Sequence, residues 1–214
     1  FGDFATNSVF ISGSRTSMPF KGFQEGRQIK LTTRDVDLIR SEIKGIQFVV
    51  PRNATGGQVT NGFKTGNFTV FGDFPLLDKV QKKKLTDGRF LNQKDINENR
   101  KVCVISDGIY KELFDKDEEA VGTYLKVSNI SYQVVGVYKS GRFEGKNNLH
   151  IPFSTFKLVY NQGDKFQWMV VTGKQEFDIV QVEADVKLLL KNIHNIQPED
   201  NRAFRGFNLG KEIS

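Results

Sequence analysis

The stretch LTDGRFLNQKDINENRKVCVISDGIYKELF, residues 85–114, joins a glycine turn, a charged loop, an apolar strand and the start of a helix. The turn lies at Asp87, Gly88 and Arg89, the strand covers 102–105, and the helix begins at Asp107. The stretch contains no metal-ligand pair, no phosphate-binding loop and no nucleophile with a recognisable base. The stretch therefore predicts an αβ unit whose residues specify a fold and catalyse no reaction.

The composition is that of an ordinary globular protein. The chain has 214 residues, of which 38% are hydrophobic and 26% charged, and this length allows one domain or two small ones. The formal net charge is +6, and the main basic cluster, Lys79 with 82–84, has no interleaved aromatic residues, so we expect a solvated helix end and no nucleic-acid partner. Cys103 lies among apolar neighbours, which indicates a buried small hydrophobe.

The two ends of the chain carry no targeting signal. No run approaches about 18 consecutive apolar residues, and no signal peptide is visible. The first residue is Phe1 and not methionine. We interpret the chain as a segment excised from a longer protein.

The first part of the chain predicts a strand, a helix and another strand. NSVFIS is a strand candidate, and a loop rich in glycine follows it. Thr32 and Asp35 have the spacing of a capping box, and apolar residues at 36, 39 and 43 share one helical face. Gly45 is expected to stop this helix, and IQFVV is expected to be a buried strand that ends at Pro51.

The middle of the chain predicts two hairpins around a strand–helix pair. The first hairpin covers 53–74, with alternating apolar residues that include Phe63, and a short helix follows at PLLDKVQKKKL. Beyond residue 114, TYLKVSNISYQVVGVYK predicts a second hairpin with a very short turn around Asn129. The last quarter returns to strand, amphipathic helix and strand, with Val182, Val186, Leu189 and Ile193 on one helical face.

This order predicts an α+β protein with a discontinuous domain. Strand–helix–strand units at both ends enclose a different αβ module, so we expect one two-part domain interrupted by an inserted one. The predicted boundaries are 1–77, 78–161 and 162–214.

The residue types that catalysis or metal binding would need do not cluster in the sequence. His150 and His194 are far apart, and neither has a zinc-site partner at the usual spacing. The acidic run at 115–119 lacks the glycine and the distal glutamate of a calcium loop. We therefore predict no catalytic residue, no cofactor and no metal. A hydrolase with an unfamiliar site is a third hypothesis, for which no residue stands out as the nucleophile.

The motifs between residues 85 and 156 resemble the periplasmic domain of MacB-type, FtsX-like ABC transporter permeases. The family pattern is a "GR.F" turn, a "VVVI" strand, a helix with a glycine loop, a hairpin ending in "VIGV", and an "IPY.T" element. The matching segments here are 88–90, 102–105, 113–122, 134–137 and 151–153. The resemblance extends to NSVFI and LTTRDVDLIRS near the start, whereas the family's loop proline is missing before Gly122.

The resemblance implies a porter-like α+β subdomain with a small inserted αβ subdomain called Sabre. It implies an extracytoplasmic domain between two membrane helices of an inner-membrane protein, in a Gram-negative bacterium. In such permeases ATP is hydrolysed by a cytoplasmic ATPase domain, and the permease dimer transmits the conformational change across the membrane, which is termed mechanotransmission. The implied partners are a second permease protomer, a periplasmic adaptor and an outer-membrane channel, and the implied process is efflux. We expect that this domain is not an enzyme.

Two other functions remain as alternatives. Lipoprotein-releasing permeases carry a long hook in the Sabre hairpin, and VSNISYQ is too short for such a hook. A soluble periplasmic binding or carrier domain for an apolar ligand is the other alternative, because nineteen phenylalanines could line a pocket.

The candidate partner-binding residues lie in two glycine-bordered loops that pair aromatic residues with cations. They are Phe20 and Phe23 in MPFKGF, and Arg142 and Phe143 in SGRFEG. Aromatic residues and arginine are enriched at interfaces. The competing interpretation is that these phenylalanines pack back onto the core.

Overall fold

A computed structural model describes residues 7–141 and 144–208. The described chain groups into two compact units, one made of 7–51 and 164–208 and the other of 52–163 without 142–143. The three-part division at 77/78 and 161/162 stays a prediction about subdomains.

The chain contains twelve strands and six helices within the described residues. The strands are β1 Ser8–Gly13, β2 Leu31–Thr32, β3 Ile46–Asn61, β4 Lys64–Asp73, β5 Lys84–Gly88, β6 Val102–Ser106, β7 Tyr124–Val127, β8 Ile130–Lys139, β9 Asn148–Pro152, β10 Lys165–Phe166, β11 Trp168–Gly173 and β12 Phe204–Asn208. The helices are α1 Thr33–Glu42, α2 Leu77–Val80, α3 Gln93–Asn97, α4 Asp107–Leu113, α5 Phe153–Val159 and α6 Ile179–Ile193. The predicted α+β class is confirmed.

The first unit packs helix α6 against an antiparallel sheet, and helix α1 packs against α6. Its strand order is β12-β1-β11, with β3 next, and β1 lies antiparallel to both of its neighbours. Helix α6 contacts α1, β1, β11 and β12. The capping box of α1 is present, since the Thr32 side chain accepts from Asp35 N and the Asp35 carboxylate accepts from Thr32 N. The buried apolar core comprises Val9, Ile11, Ile29, Leu31, Val36, Ile39, Val49, Val50, Met169, Val170, Val171, Val182, Val186, Leu190 and Ile196.

Three local predictions in this unit are wrong for identifiable reasons. Strand β3 does not end at Pro51 but continues to Asn61, because a strand tolerates proline where no ladder N–H is needed. Gly45 does not cap α1; a Cβ there would lie 2.9 Å from the side chains of Phe177 and Val182, so glycine allows close packing. On α6, Leu190 rather than Leu189 is buried with Val182 and Val186.

The second unit is a mixed sheet built around the fully buried strand β6. From residue 52 onward the order is β3-β4-β9-β6-β8-β5, and β7 pairs with β3 and β8. All five residues of β6 are buried, as expected for a central strand with a parallel neighbour, β8. Helix α4 contacts β4, β6, β8 and β9, and α5 contacts β4 and β9.

The glycine turn at 87–89 is explained by the close approach of β5 and β8. Gly88 pairs with Gly136, and the N–H of Arg89 donates to the Val135 carbonyl at 2.9 Å. A Cβ on Gly88 would collide with the Val135 carbonyl, and a Cβ on Gly136 with the Arg89 carbonyl. Gly88 also has a φ of +68°, which disfavours other residues.

The β7–β8 hairpin has a two-residue turn, which confirms the expected short turn. Ser128 and Asn129 have φ values of 49° and 72°, the pattern of a type I′ turn. The hairpin therefore carries no extension at its tip.

Candidate partner-binding surface

The long loop 14–28 of the first unit is folded back on itself by backbone hydrogen bonds. Thr16 N donates to the Arg27 carbonyl at 3.0 Å, and Gly26 N donates to the Thr16 carbonyl at 2.7 Å. The base of the loop is tied down as well, because Ser14 N donates to the Ala203 carbonyl at 2.8 Å. The loop is thus a structured projection, as interaction loops on a rigid scaffold commonly are.

The carboxylate of Asp200 holds the start of this loop in place. It accepts hydrogen bonds from Ser17 N at 2.8 Å, Ser17 Oγ at 2.7 Å, Met18 N at 3.1 Å and Arg202 N at 3.2 Å. Burial acts to raise the pKa of Asp200, but these hydrogen bonds, those from Ser17 first, outweigh it and lower the pKa. A buried carboxylate thereby joins the loop to the segment before β12.

The tip of the loop is a type I′ turn between the two predicted phenylalanines. Phe20 and Phe23 exchange backbone hydrogen bonds of 3.0 and 2.9 Å, while Lys21 and Gly22 have φ values of 47° and 83°. The Lys21 ammonium lies 5.3 Å from the Phe20 ring centroid, and the Arg27 guanidinium 4.0 Å from that of Phe23. The sequence indicated a cation beside these phenylalanines within MPFKGF but did not point to Arg27, and Phe23 remains 43% exposed.

Phe20 and Lys21 form part of the wall of an apolar groove in the first unit. The groove encloses about 930 Å³ and follows one face of α6 past the C-terminal end of α1. Its apolar lining residues are Phe20, Ile43, Phe177, Val182, Leu188, Leu189, Ile196 and Pro198. Phe20 is therefore half-buried against the fold, whereas Phe23 points more into solvent.

The other two predicted partner-binding residues, Arg142 and Phe143, lie outside the described residues. Sequence reasoning missed Phe63, which it assigned to the alternating face of a hairpin. In the structure Phe63 follows Gly62 at the β3–β4 turn and is fully exposed. The Asn61-Gly62 pair is a hairpin-turn signal, so the residue after it could have been placed at the tip.

A buried polar network in the second unit has the order of groups found in catalytic triads. The Tyr138 hydroxyl lies 2.7 Å from His150 Nε2, and His150 Nδ1 lies 2.7 Å from Asp73 Oδ2. The Arg52 guanidinium also contacts the Asp73 carboxylate, at 2.6 and 3.0 Å. None of these four residues is more than 6% exposed, so a substrate cannot reach them. The network is a structural part of the core.

The charge states in this network depend on burial and on neighbouring cations. Burial lowers the pKa of His150 to about 4, and the Lys83 and Arg52 charges act in the same direction against Asp73. A neutral imidazole fits the geometry, because Nδ1–H donates to Asp73 while Nε2 accepts from Tyr138. Burial alone would raise the pKa of Asp73, but Arg52 and His150 hold it far below its ordinary range.

We expect the free energy of unfolding to fall on acidification because of His150. Between pH 6.5 and about 4 the unfolded chain binds a proton at this residue and the folded chain does not, so stability decreases as the pH falls. The expected contribution is about 3 kcal/mol over this interval. Urea denaturation at several pH values would measure it. The His150→Gln variant should lose this part of the pH dependence, and an unchanged slope in that variant would contradict the assignment.

No cluster of three or more histidine, cysteine, aspartate or glutamate residues able to hold a metal occurs in 7–141 and 144–208. Cys103 is buried, and burial raises the pKa of its thiol above the range in which a thiolate forms readily. In the same described ranges, no helix is both long and apolar enough to cross a membrane.

The model of the MacB-like periplasmic core domain family matches residues 2–189. Among curated proteins, the macrolide export ATP-binding/permease protein MacB of Bdellovibrio bacteriovorus is 23% identical over 191 residues, which are 87% of this chain and 29% of that protein. The pyoverdine export ATP-binding/permease protein PvdT of Pseudomonas syringae pv. tomato is 24% identical over 72% of this chain and 24% of its own length. The chain thus spans less than a third of these two relatives.

Two solved structures have the same fold. The periplasmic region of MacB from Actinobacillus actinomycetemcomitans superposes with a TM-score of 0.78 at 23% identity, over 98% of this chain and 92% of that one. The extracellular domain of the noncanonic ABC-type transporter YknZ from Gram-positive bacteria also superposes with a TM-score of 0.78, at 18% identity, over 94% of this chain and 100% of that one.

Among curated sequences, an uncharacterized ABC transporter permease of Methanocaldococcus jannaschii is 26% identical over 95% of this chain and 50% of that protein.

Proposed function

Because the chain belongs to the MacB-like periplasmic core domain family, we propose that it is the moving extracytoplasmic part of an ABC transporter permease. The observation that carries the proposal is the match of the family model to residues 2–189. In the intact protein, ATP hydrolysis by a cytoplasmic domain would drive a conformational change that this domain passes on outside the membrane. The domain itself would perform no reaction, and the process served would be export.

The proposed location is the periplasmic side of the inner membrane of a Gram-negative bacterium. The proposed partners are a second copy of the permease, a periplasmic adaptor and an outer-membrane channel. Supporting this, two related proteins are named as export ATP-binding/permease proteins.

The proposed adaptor contacts are exposed aromatic side chains on turns. Phe23 sits beside a type I′ turn and over the Arg27 guanidinium, and Phe63 lies at the β3–β4 tip. Such side chains bury a large apolar area at a small cost in conformational entropy when a partner covers them. Arg142 and Phe143 remain proposed contacts on sequence grounds.

The short β7–β8 turn argues against a lipoprotein-releasing function. A hook that grips a carrier needs an extension at this turn, and Val127 and Ile130 are separated by only two residues. The groove beside α6 favours the other alternative, a soluble binding domain for an apolar ligand, because its lining is largely apolar.

The coding sequence on both sides of this segment separates the two functions. A membrane helix ending shortly before Phe1 and another beginning soon after Ser214 would support the permease. A signal peptide before Phe1 and a stop codon after Ser214 would refute the transporter mechanism and support a free binding domain.

Substitution of the exposed aromatic residues is expected to weaken adaptor binding without changing the fold. Phe63→Ala and Phe23→Ala should each raise the dissociation constant about tenfold or more, the scale of an interface hot spot. The measurement is binding of the adaptor encoded beside the transporter to the intact permease. Leu158→Ala is the control, because Leu158 is 67% exposed on α5, which packs at Gly72, the end of β4 opposite Phe63, and it is expected to leave binding unchanged. Wild-type affinity in both phenylalanine variants would exclude these two contacts.

A further inference from the structure

A second cleft in the first unit is lined by four cations and by no carboxylate among the described residues. Its cationic side chains are Arg15 from the long loop, Lys187 from α6, Arg202 before β12 and Arg205 on β12. Hydroxyl and amide side chains, among them Ser14, Ser17 and Asn201, complete the lining. We call it the arginine cleft.

The cations of the arginine cleft are largely uncompensated. Lys187 pairs with Glu183 at 2.6 Å, and Arg15 Nη1 donates to the Gly26 carbonyl at 3.0 Å. Within 7–141 and 144–208, the guanidinium groups of Arg202 and Arg205 have no hydrogen-bond or ion-pair partner. Cations that line one cleft repel one another, and a bound anion would relieve that repulsion.

The frame of the cleft is built before any ligand arrives. Asp200 accepts hydrogen bonds from the backbone of both Ser17 and Arg202, so it holds the segments of Arg15 and Arg202 side by side. Gly206 allows the Glu183–Lys187 pair to approach β12, because a Cβ there would collide with the Glu183 carboxylate. Asp200 is fully buried, and its carboxylate already accepts hydrogen bonds from Ser17, Met18 and Arg202.

From this arrangement we infer that the arginine cleft binds a phosphate-bearing group. One guanidinium fork is enough for a single carboxylate, whereas the two unpaired forks of Arg202 and Arg205, with Arg15 in the same lining, match the charge and the several oxygens of a phosphate dianion or diphosphate. The space of about 1070 Å³ accommodates a phosphorylated headgroup as well as a small phosphate. The inference does not depend on the proposed adaptor contacts.

Calorimetric titration of the 214-residue chain with inorganic pyrophosphate at low salt tests the site. We expect binding with a dissociation constant on the order of a millimolar or tighter, weakened about tenfold or more by R202Q/R205Q. K30Q/R34Q removes the same charge from exposed positions outside the cleft and should bind as the unsubstituted chain does. Arg205→Lys keeps the charge but loses the fork, so its affinity should be intermediate.

Vesicles distinguish the two sources of the phosphate. If phosphatidic acid vesicles, but not phosphatidylcholine vesicles, sediment with the chain and pyrophosphate displaces them, the ligand is a lipid headgroup. If pyrophosphate binds and the vesicles do not, it is a soluble phosphate. Absence of pyrophosphate binding, or an equal loss in K30Q/R34Q, would overturn the inference. Circular dichroism of each variant shows that it is folded.

Discussion

The Asp73→Asn variant is expected to lose about 3–5 kcal/mol of its free energy of unfolding. The reason is that Asp73 is fully buried, and its carboxylate accepts two hydrogen bonds from Arg52 and one from His150. Removing this charge takes away the carboxylate that faces the buried Arg52 guanidinium, which stays in the core. Urea denaturation followed by circular dichroism measures the effect as a shift of the midpoint.

Asp37→Asn is the matched control for this experiment. Asp37 lies on α1 and is exposed, so the same chemical change should alter stability by less than about 0.5 kcal/mol. A loss below about 1 kcal/mol in Asp73→Asn would show that the network does not depend on the carboxylate charge. The stability that the network provides would then come from its buried hydrogen bonds alone.

The Glu144→Gln variant is expected to lose a similar amount, about 3–5 kcal/mol. The Lys83 ammonium is fully buried and lies 2.8 Å from the Glu144 carboxylate, which is itself 6% exposed. Burial lowers the pKa of Lys83, and Glu144 is the main group acting against that shift. An amide cannot replace the carboxylate charge, so the same denaturation experiment should show a loss of stability in this variant.

A double variant separates the pairing from the packing. Lys83→Met combined with Glu144→Leu should recover at least half of the loss, because apolar residues can replace a buried ion pair at little cost. Lys82→Met is the control: Lys82 is exposed and 3.4 Å from Asp78, and surface pairs of this kind contribute about 0–1 kcal/mol. If the double variant is less stable than Glu144→Gln, the ion pair adds net stability to the fold and does not merely offset the cost of burying its two charges.

Local structure was predictable where neighbouring residues decide it. The capping box at Thr32 and Asp35, the buried strand β6 and the two-residue turn at Ser128 and Asn129 depend on short-range spacing and on turn chemistry. The α+β class and the family resemblance rest on the same kind of signal, a series of short motifs in a set order.

The predictions that failed concern where a segment meets the rest of the chain. Proline usually ends a strand, yet β3 runs through Pro51 because β3 pairs with β11 and, from Asn53 onward, with β4. Phe63 alternates correctly with polar residues but stands at a hairpin tip, where no other element covers it. Burial depends on which element lies opposite a residue, and sequence periodicity does not contain that information.

The polar clusters show most clearly that contacts between distant segments could not be predicted. Asp73 and His150 are 77 residues apart, and Ser17 and Asp200 are 183 apart, so no spacing rule relates them. Helix α1, strand β6, the β7–β8 turn and the family could be predicted from the sequence, since they depend on contacts within a few residues and on motifs in order. Which charges are buried together and which remain uncompensated could not, because pairing across long separations exists only once the sheets have formed.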